Sequence, residues 1–174
     1  LPSVELDILQ MSPGENENEV LSGKYDFCFM AQAPAESPKL TQVIIFEEKV
    51  MVALPKGHAL AANASLTAKQ IAAETYIDRL HCEFRSQLIH HFMDRNIVMR
   101  PKVQSEREDW VQHLVATGVG ICAMPERSAL TNDLVVRPVD GLDLKRQVTL
   151  VAVSGSGNAR EVRLILDLAK RFDW

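Results

Sequence analysis

The sequence predicts an α/β fold in which mixed, mostly parallel sheets are flanked by helices. Three observations carry this reading: short apolar runs rich in β-formers, single helical segments between them marked by capping residues and glycine stops, and no internal repeat or low-complexity tract. Strands separated by single helices require crossovers on the faces of a sheet. In such folds ligands gather at the carboxyl ends of the strands.

The elements follow in order. Val4, Leu6 and Ile8 alternate with Glu5 and Asp7, the period of a strand with one buried face. Met11-Ser12-Pro13-Gly14 breaks it, and Glu15, Glu17 and Glu19 place carboxylates in an early helical turn that Gly23 closes. Tyr25 to Met30 reads as a strand, and a polar loop from Gln32 to Lys39 leads to two apolar runs, Val43 to Phe46 and Val50 to Leu54.

Thr67 and Gln70 form a capping box with Leu66 and Ile71 as its hydrophobic staple, so a helix begins there and runs to about Glu74. After a short strand at Thr75 to Asp78, Phe84, Leu88, Ile89, Phe92 and Met93 form a helical stripe ending near Asn96. Ser105 and Glu108 propose a second capping box before Trp110, Val111, Leu114 and Val115, with Gly118 as the stop and Ile121 to Met124 as the next strand. Val135 to Val139 and Val148 to Val153 read as strands. The last helix is capped by Asn158 with Glu161 three residues on, and buries Val162, Ile165, Leu166, Ala169 and Phe172.

With 174 residues, 47% of them hydrophobic and 24% charged, the chain is long enough to bury a core without disulfides. Cys28, Cys82 and Cys122 are an odd number, and Cys28 and Cys122 sit in apolar runs; a reducing, cytoplasmic setting is expected. No run has the length of a membrane span, and Leu1 to Asp7 lack the order of a signal peptide. The formal charge of −4, with scattered Lys and Arg, provides no basic stripe for a phosphate backbone, so this chain alone is not expected to bind DNA.

Four stretches in this order resemble the effector domain of LysR-type transcription regulators. They are Leu21-Ser22-Gly23-Lys24-Tyr25-Asp26-Phe27; Val52 to Ala61, with Ala59 where the family usually has proline; Val115 to Ile121 continuing to Met124-Pro125-Glu126; and Arg146 to Val153 with the helix after it. The resemblance implies a two-lobed fold like that of type II periplasmic binding proteins. It implies a first lobe over residues 1–48, incomplete at its start, a second lobe over 49–148, and a return to the first over 149–174. Family members carry a helix-turn-helix, a linker helix and a first strand-helix unit ahead of the position of Val4, and only that part would contact DNA. A homo-oligomer, dimer or tetramer, is implied as well.

The same resemblance places His81-Cys82-Glu83-Phe84-Arg85 where the second lobe turns a strand into a helix facing the interlobe cleft. A cysteine in a first helical turn sees free N–H groups that favour thiolate, with Arg85 and His81 adding to that. The leading expectation is a small, anionic metabolite held by that helix start and Arg85. Ser12 and Pro13, Gln32 and Gln104 complete the candidate effector set. The plainer readings are a turn residue for Ser12, solvated strand ends for Gln32 and Gln104, and a small buried hydrophobe for Cys82.

An alternative is thiol redox sensing through Cys82, as in the family's peroxide-sensing branch, although the positions where that branch has its second cysteine hold His90, His91, Phe92 and Met93. Another is a transporter's solute-binding protein, which shares the fold. Adjacent His90 and His91 diverge on a helix and make no metal site, and the glycine pairs Gly118/Gly120 and Gly155/Gly157 lack a nucleotide loop's lysine. No cofactor, metal or enzymatic activity is expected.

Overall fold

The computed structural model describes residues 4–11, 15–155 and 159–174. It divides into two compact units, one of Leu1–Glu47 with Gln147–Trp174 and one of Glu48–Arg146. Among the described residues no helix is long and apolar enough to cross a membrane.

In the first unit, α1 (Glu17–Leu21) precedes β1 (Phe27–Met30), the chain then enters β2 (Leu40–Pro55), and it returns through β7 (Lys145–Val153) to α5 (Arg160–Arg171). β7 lies between β1 and β2, and β1 pairs with it antiparallel from Phe27 opposite Ala152 to Met30 opposite Thr149. Alternate residues of β7 face opposite sides, and each side is covered. Leu150 and Ala152 pack with Val43 and Ile45 under Val162, Leu166 and Ala169 of α5, whose spacing is that of one helical face. Val151 packs with Cys28, Leu40 and Val20 of α1 on the other side.

The alternating segment at the start does not form a strand. Leu6, Ile8 and Leu9 are exposed, Ile8 to 85%, and the described sheets pair no strand with this segment. Alternation alone cannot make a strand, because its backbone groups need a ladder partner. Ser12 and Pro13 lie outside the described residues, as does the Asn158 cap. The two runs expected from Val43 to Leu54 are instead one strand, β2, because Glu47, Glu48 and Lys49 continue the extended backbone between them.

In the second unit, the later half of β2 pairs antiparallel with β5 (Cys122–Pro125) and β6 (Leu134–Arg137). β3 (Ile77–Arg79) and β4 (Val103–Ser105) pair parallel, and parallel bridges join Tyr76 to Ile121 and Leu66 to Val139. On one face α4 (Glu108–Ala116) buries Val111 and Val115 against Ala53, Ile77, Cys122 and Met124. On the other, α2 (Ala68–Ala73) and α3 (Arg85–Met93) bring Ile71 and Phe92 onto Val52, Leu54 and Ile121.

Local signals explain the boundaries. The Thr67–Gln70 capping box forms with both of its hydrogen bonds, and Leu66 and Ile71 are fully buried. The box expected at Ser105 does not form: Ser105 Oγ accepts the Arg107 N–H at 3.0 Å, and α4 starts two residues later, at Glu108 with Arg107 at its cap. Trp110 and Phe172, expected on buried faces, are mostly exposed. Gly118 closes α4 at φ +80°, and a side chain at Gly120 would overlap the Thr75 carbonyl, which accepts the neighbouring Ile121 N–H at 2.9 Å. That close approach sets Tyr76 and β3 beside β5.

Candidate functional site

The site is built where β3 ends and α3 begins. Asp78 lies opposite Gln104 in the β3–β4 register, and Gln104 Nε2 donates to Asp78 Oδ2 at 3.2 Å. The Arg85 guanidinium donates to the same carboxylate from Nε at 2.9 Å and from Nη2 at 2.7 Å. Asp78 is 6% exposed, so a buried charge is satisfied from β4 and from the first residue of α3 together. Arg79, on the alternate face of β3, pairs with Glu108 of α4 at 2.6 Å and donates to the Ala123 carbonyl at 3.3 Å.

Beneath α3 these groups border a cavity of about 130 Å³. Leu88, Ile89, Phe92 and Met93 of α3 form one wall, Val98, Met99 and Pro101 of the returning chain another, and Tyr76 and Ala123 the floor. Cys82, Asp78, Arg79 and Arg85 supply its polar groups. Burial pushes the Tyr76 phenol well above its ordinary range, and the Ala123 N–H donates to its oxygen at 3.4 Å.

The sequence candidates separate. Cys82 and Arg85 share the cavity wall, and Gln104 reaches it only through Asp78. His81 turns to Glu106 at 3.6 Å with its side chain about half exposed, and it does not line the cavity. Phe84 is buried at 4% exposure in a cluster with Val50, Leu88 and Ala123, so it packs rather than presents itself. Glu83 binds Arg146 Nη1 at 2.7 Å, and that arginine also holds Glu48 and the Ser128 hydroxyl. Gln32 belongs to the other unit and is exposed.

Two expectations about the chemistry change. Cys82 is not in the first turn of α3, which begins at Arg85; it sits in the preceding turn, where its carbonyl accepts the Arg85 N–H at 3.1 Å. Burial raises its thiol above the ordinary value, outweighing the lowering by Arg79 and by the Phe84 N–H. Arg85, expected to meet a carboxylate of the effector, already meets Asp78. Sequence reading missed Asp78, Met99 and Val98; the one signal for Asp78 was an acidic residue ending an otherwise apolar strand.

The family model described as the LysR substrate binding domain matches residues 1–173. The uncharacterized HTH-type transcriptional regulator YybE of Bacillus subtilis is 26% identical over 117 residues, 67% of this chain and 40% of its own length. The hydrogen peroxide-inducible genes activator of Haemophilus influenzae is 24% identical over 131 residues, 74% of this chain and 43% of its own length. Among solved structures, HinK, a LysR family transcriptional regulator from Pseudomonas aeruginosa, superposes with a TM-score of 0.76 at 16% identity, over 97% of this chain and 60% of that one. The CcmR regulatory domain of Synechocystis, solved in complex with 2-PG, superposes with a TM-score of 0.71 at 16% identity, over 88% and 76% of the two chains. The chain spans 40% to 52% of the length of the curated relatives it matches. With a family model covering residues 1–173, the chain belongs to the LysR substrate binding domain family.

Proposed function

We propose that this chain is the sensing part of a LysR-type transcription regulator and that a small-molecule effector occupies the cavity beneath α3. The observation that carries the proposal is the cavity itself: about 130 Å³ of largely apolar space with a few convergent polar groups at the carboxyl end of β3. The CcmR domain, of the same fold, was solved holding a small molecule. On this reading the two units, Leu1–Glu47 with Gln147–Trp174 and Glu48–Arg146, serve as the two lobes of the sensor. In the full regulator, working in the cytoplasm as a homo-oligomer, a separate helix-turn-helix makes the DNA contacts. The effector acts by binding one conformation of the sensing domain more tightly than the other, and the shift in population resets how the DNA-binding parts are presented.

The test uses the full-length regulator and a reporter gene under its own promoter. Ala123→Leu fills the floor of the cavity. Its cells are expected to lose the response of the reporter to the inducing growth condition while the protein level stays near that of the parent. A response equal to the parent's would overturn the cavity as the effector site.

A further inference from the structure

The charge arrangement around the cavity also indicates which class of molecule fits, and this inference rests on the sensor reading above. We infer that the cavity takes an uncharged, ring-sized apolar ligand carrying at most one hydrogen-bonding group, and that it discriminates against anions.

Size comes first. A volume of about 130 Å³ is close to the roughly 150 Å³ of an apolar cavity that accepts benzene, so one six-membered ring with a small substituent fills it. The contacts suit a ring as well. Phe92 offers an aromatic surface, Leu88 and Ala123 a flat apolar one, and the thioethers of Met93 and Met99 adapt to a ring's edge.

Charge decides between classes. The two cations on the wall are matched by two carboxylates: Arg85 is bidentate on Asp78, and Arg79 pairs with Glu108. Asp78 in turn accepts from both Arg85 and Gln104. An entering carboxylate or phosphate would shed part of its water and meet cations already paired at close range, so the desolvation is not offset by a free charge. An entering ammonium would meet carboxylates in the same condition. The neutral polar groups on the wall, the Cys82 thiol and the Tyr76 phenol, serve a single hydroxyl or carbonyl without that penalty.

The surroundings of the cavity point the same way. Ile89, Met93 and Val98 belong to its lining and yet are exposed, Val98 to 70%. Apolar side chains gathered at the edge of an apolar cavity gain burial when an apolar ligand enters.

Calorimetric titration and thermal unfolding of the whole chain with toluene, phenol and benzoate test the inference. Toluene and phenol are expected to saturate and raise the Tm, each binding at least about tenfold more tightly than benzoate. Val98→Lys, at an exposed position that tolerates the change, adds an unmatched cation beside the cavity and is expected to strengthen benzoate binding while weakening toluene. Benzoate binding the native chain more tightly than toluene, or saturation by none of the three, would overturn the ligand class. If that happens while Ala123→Leu still abolishes the reporter response, the sensor reading stands and only the ligand class falls.

Discussion

The guanidinium of Arg146 lies 2.6 Å from a carboxylate oxygen of Glu48, a side chain only 1% exposed, across a sequence separation of 98 residues. Glu48 also accepts the backbone N–H of Arg127 at 2.7 Å, and Arg146 carries on to Glu83 at 2.7 Å. Both residues stand at the ends of the second unit, Glu48 as its first residue and Arg146 as its last. The pair therefore clasps the two strands by which the chain enters and leaves that unit.

Removing one partner of such a buried pair leaves an uncompensated charge. Glu48→Ala is expected to destabilise the chain by about 3 kcal/mol in urea unfolding. The double variant with Arg146→Met is expected to lose less than the sum of the two single changes. Strict additivity would show that the pair contributes nothing beyond its separate packing.

Cys82 is expected to behave as an unreactive thiol. Burial raises its pKa from 9.0, so less thiolate is present at neutral pH than for a free cysteine, and the rate of alkylation by iodoacetamide keeps rising beyond that pH. Mass spectrometry of the modified peptide across a pH series reads this directly. A rate that levels off below about pH 8 would restore the activated thiolate, and with it the redox reading.

Gly120 is expected to reject any side chain. Its added Cβ would overlap the backbone oxygen of Thr75, which cannot swing away as a flexible side chain would. Gly120→Ala should cost about 2 kcal/mol. Gly118→Ala, at φ +80° with open space around it, should cost about 1 kcal/mol through backbone strain alone. Equal urea midpoints for the two variants would contradict this ranking.

The helices were the legible part of the sequence. Thr67, Gln70, Leu66 and Ile71 announced α2 through a local pattern, and Val162, Leu166 and Ala169 announced the buried face of α5. What escaped was non-local. Nothing near Asp78 in sequence reveals that Gln104 will sit beside it in a parallel ladder, or that the Arg85 guanidinium will fold back onto it. The same holds for Glu48 and Arg146, which lie 98 residues apart and pair only where the strands carrying them meet. Reading the helix start from His81 and Cys82 placed the thiol one turn too far into the helix, and that displacement produced the expectation of a thiolate.

The hold of Asp78 on Arg85 has one more consequence. The start of α3 is fixed by a carboxylate reaching from the sheet, whereas most of the cavity wall comes from later turns of that helix and from the segment after it. Most of the apolar wall is thus carried by residues other than the anchoring pair. On the proposed sensor reading, exchanges at Ile89, Met93 or Val98 reshape what the cavity admits while the Asp78–Arg85 anchor of the helix stays in place.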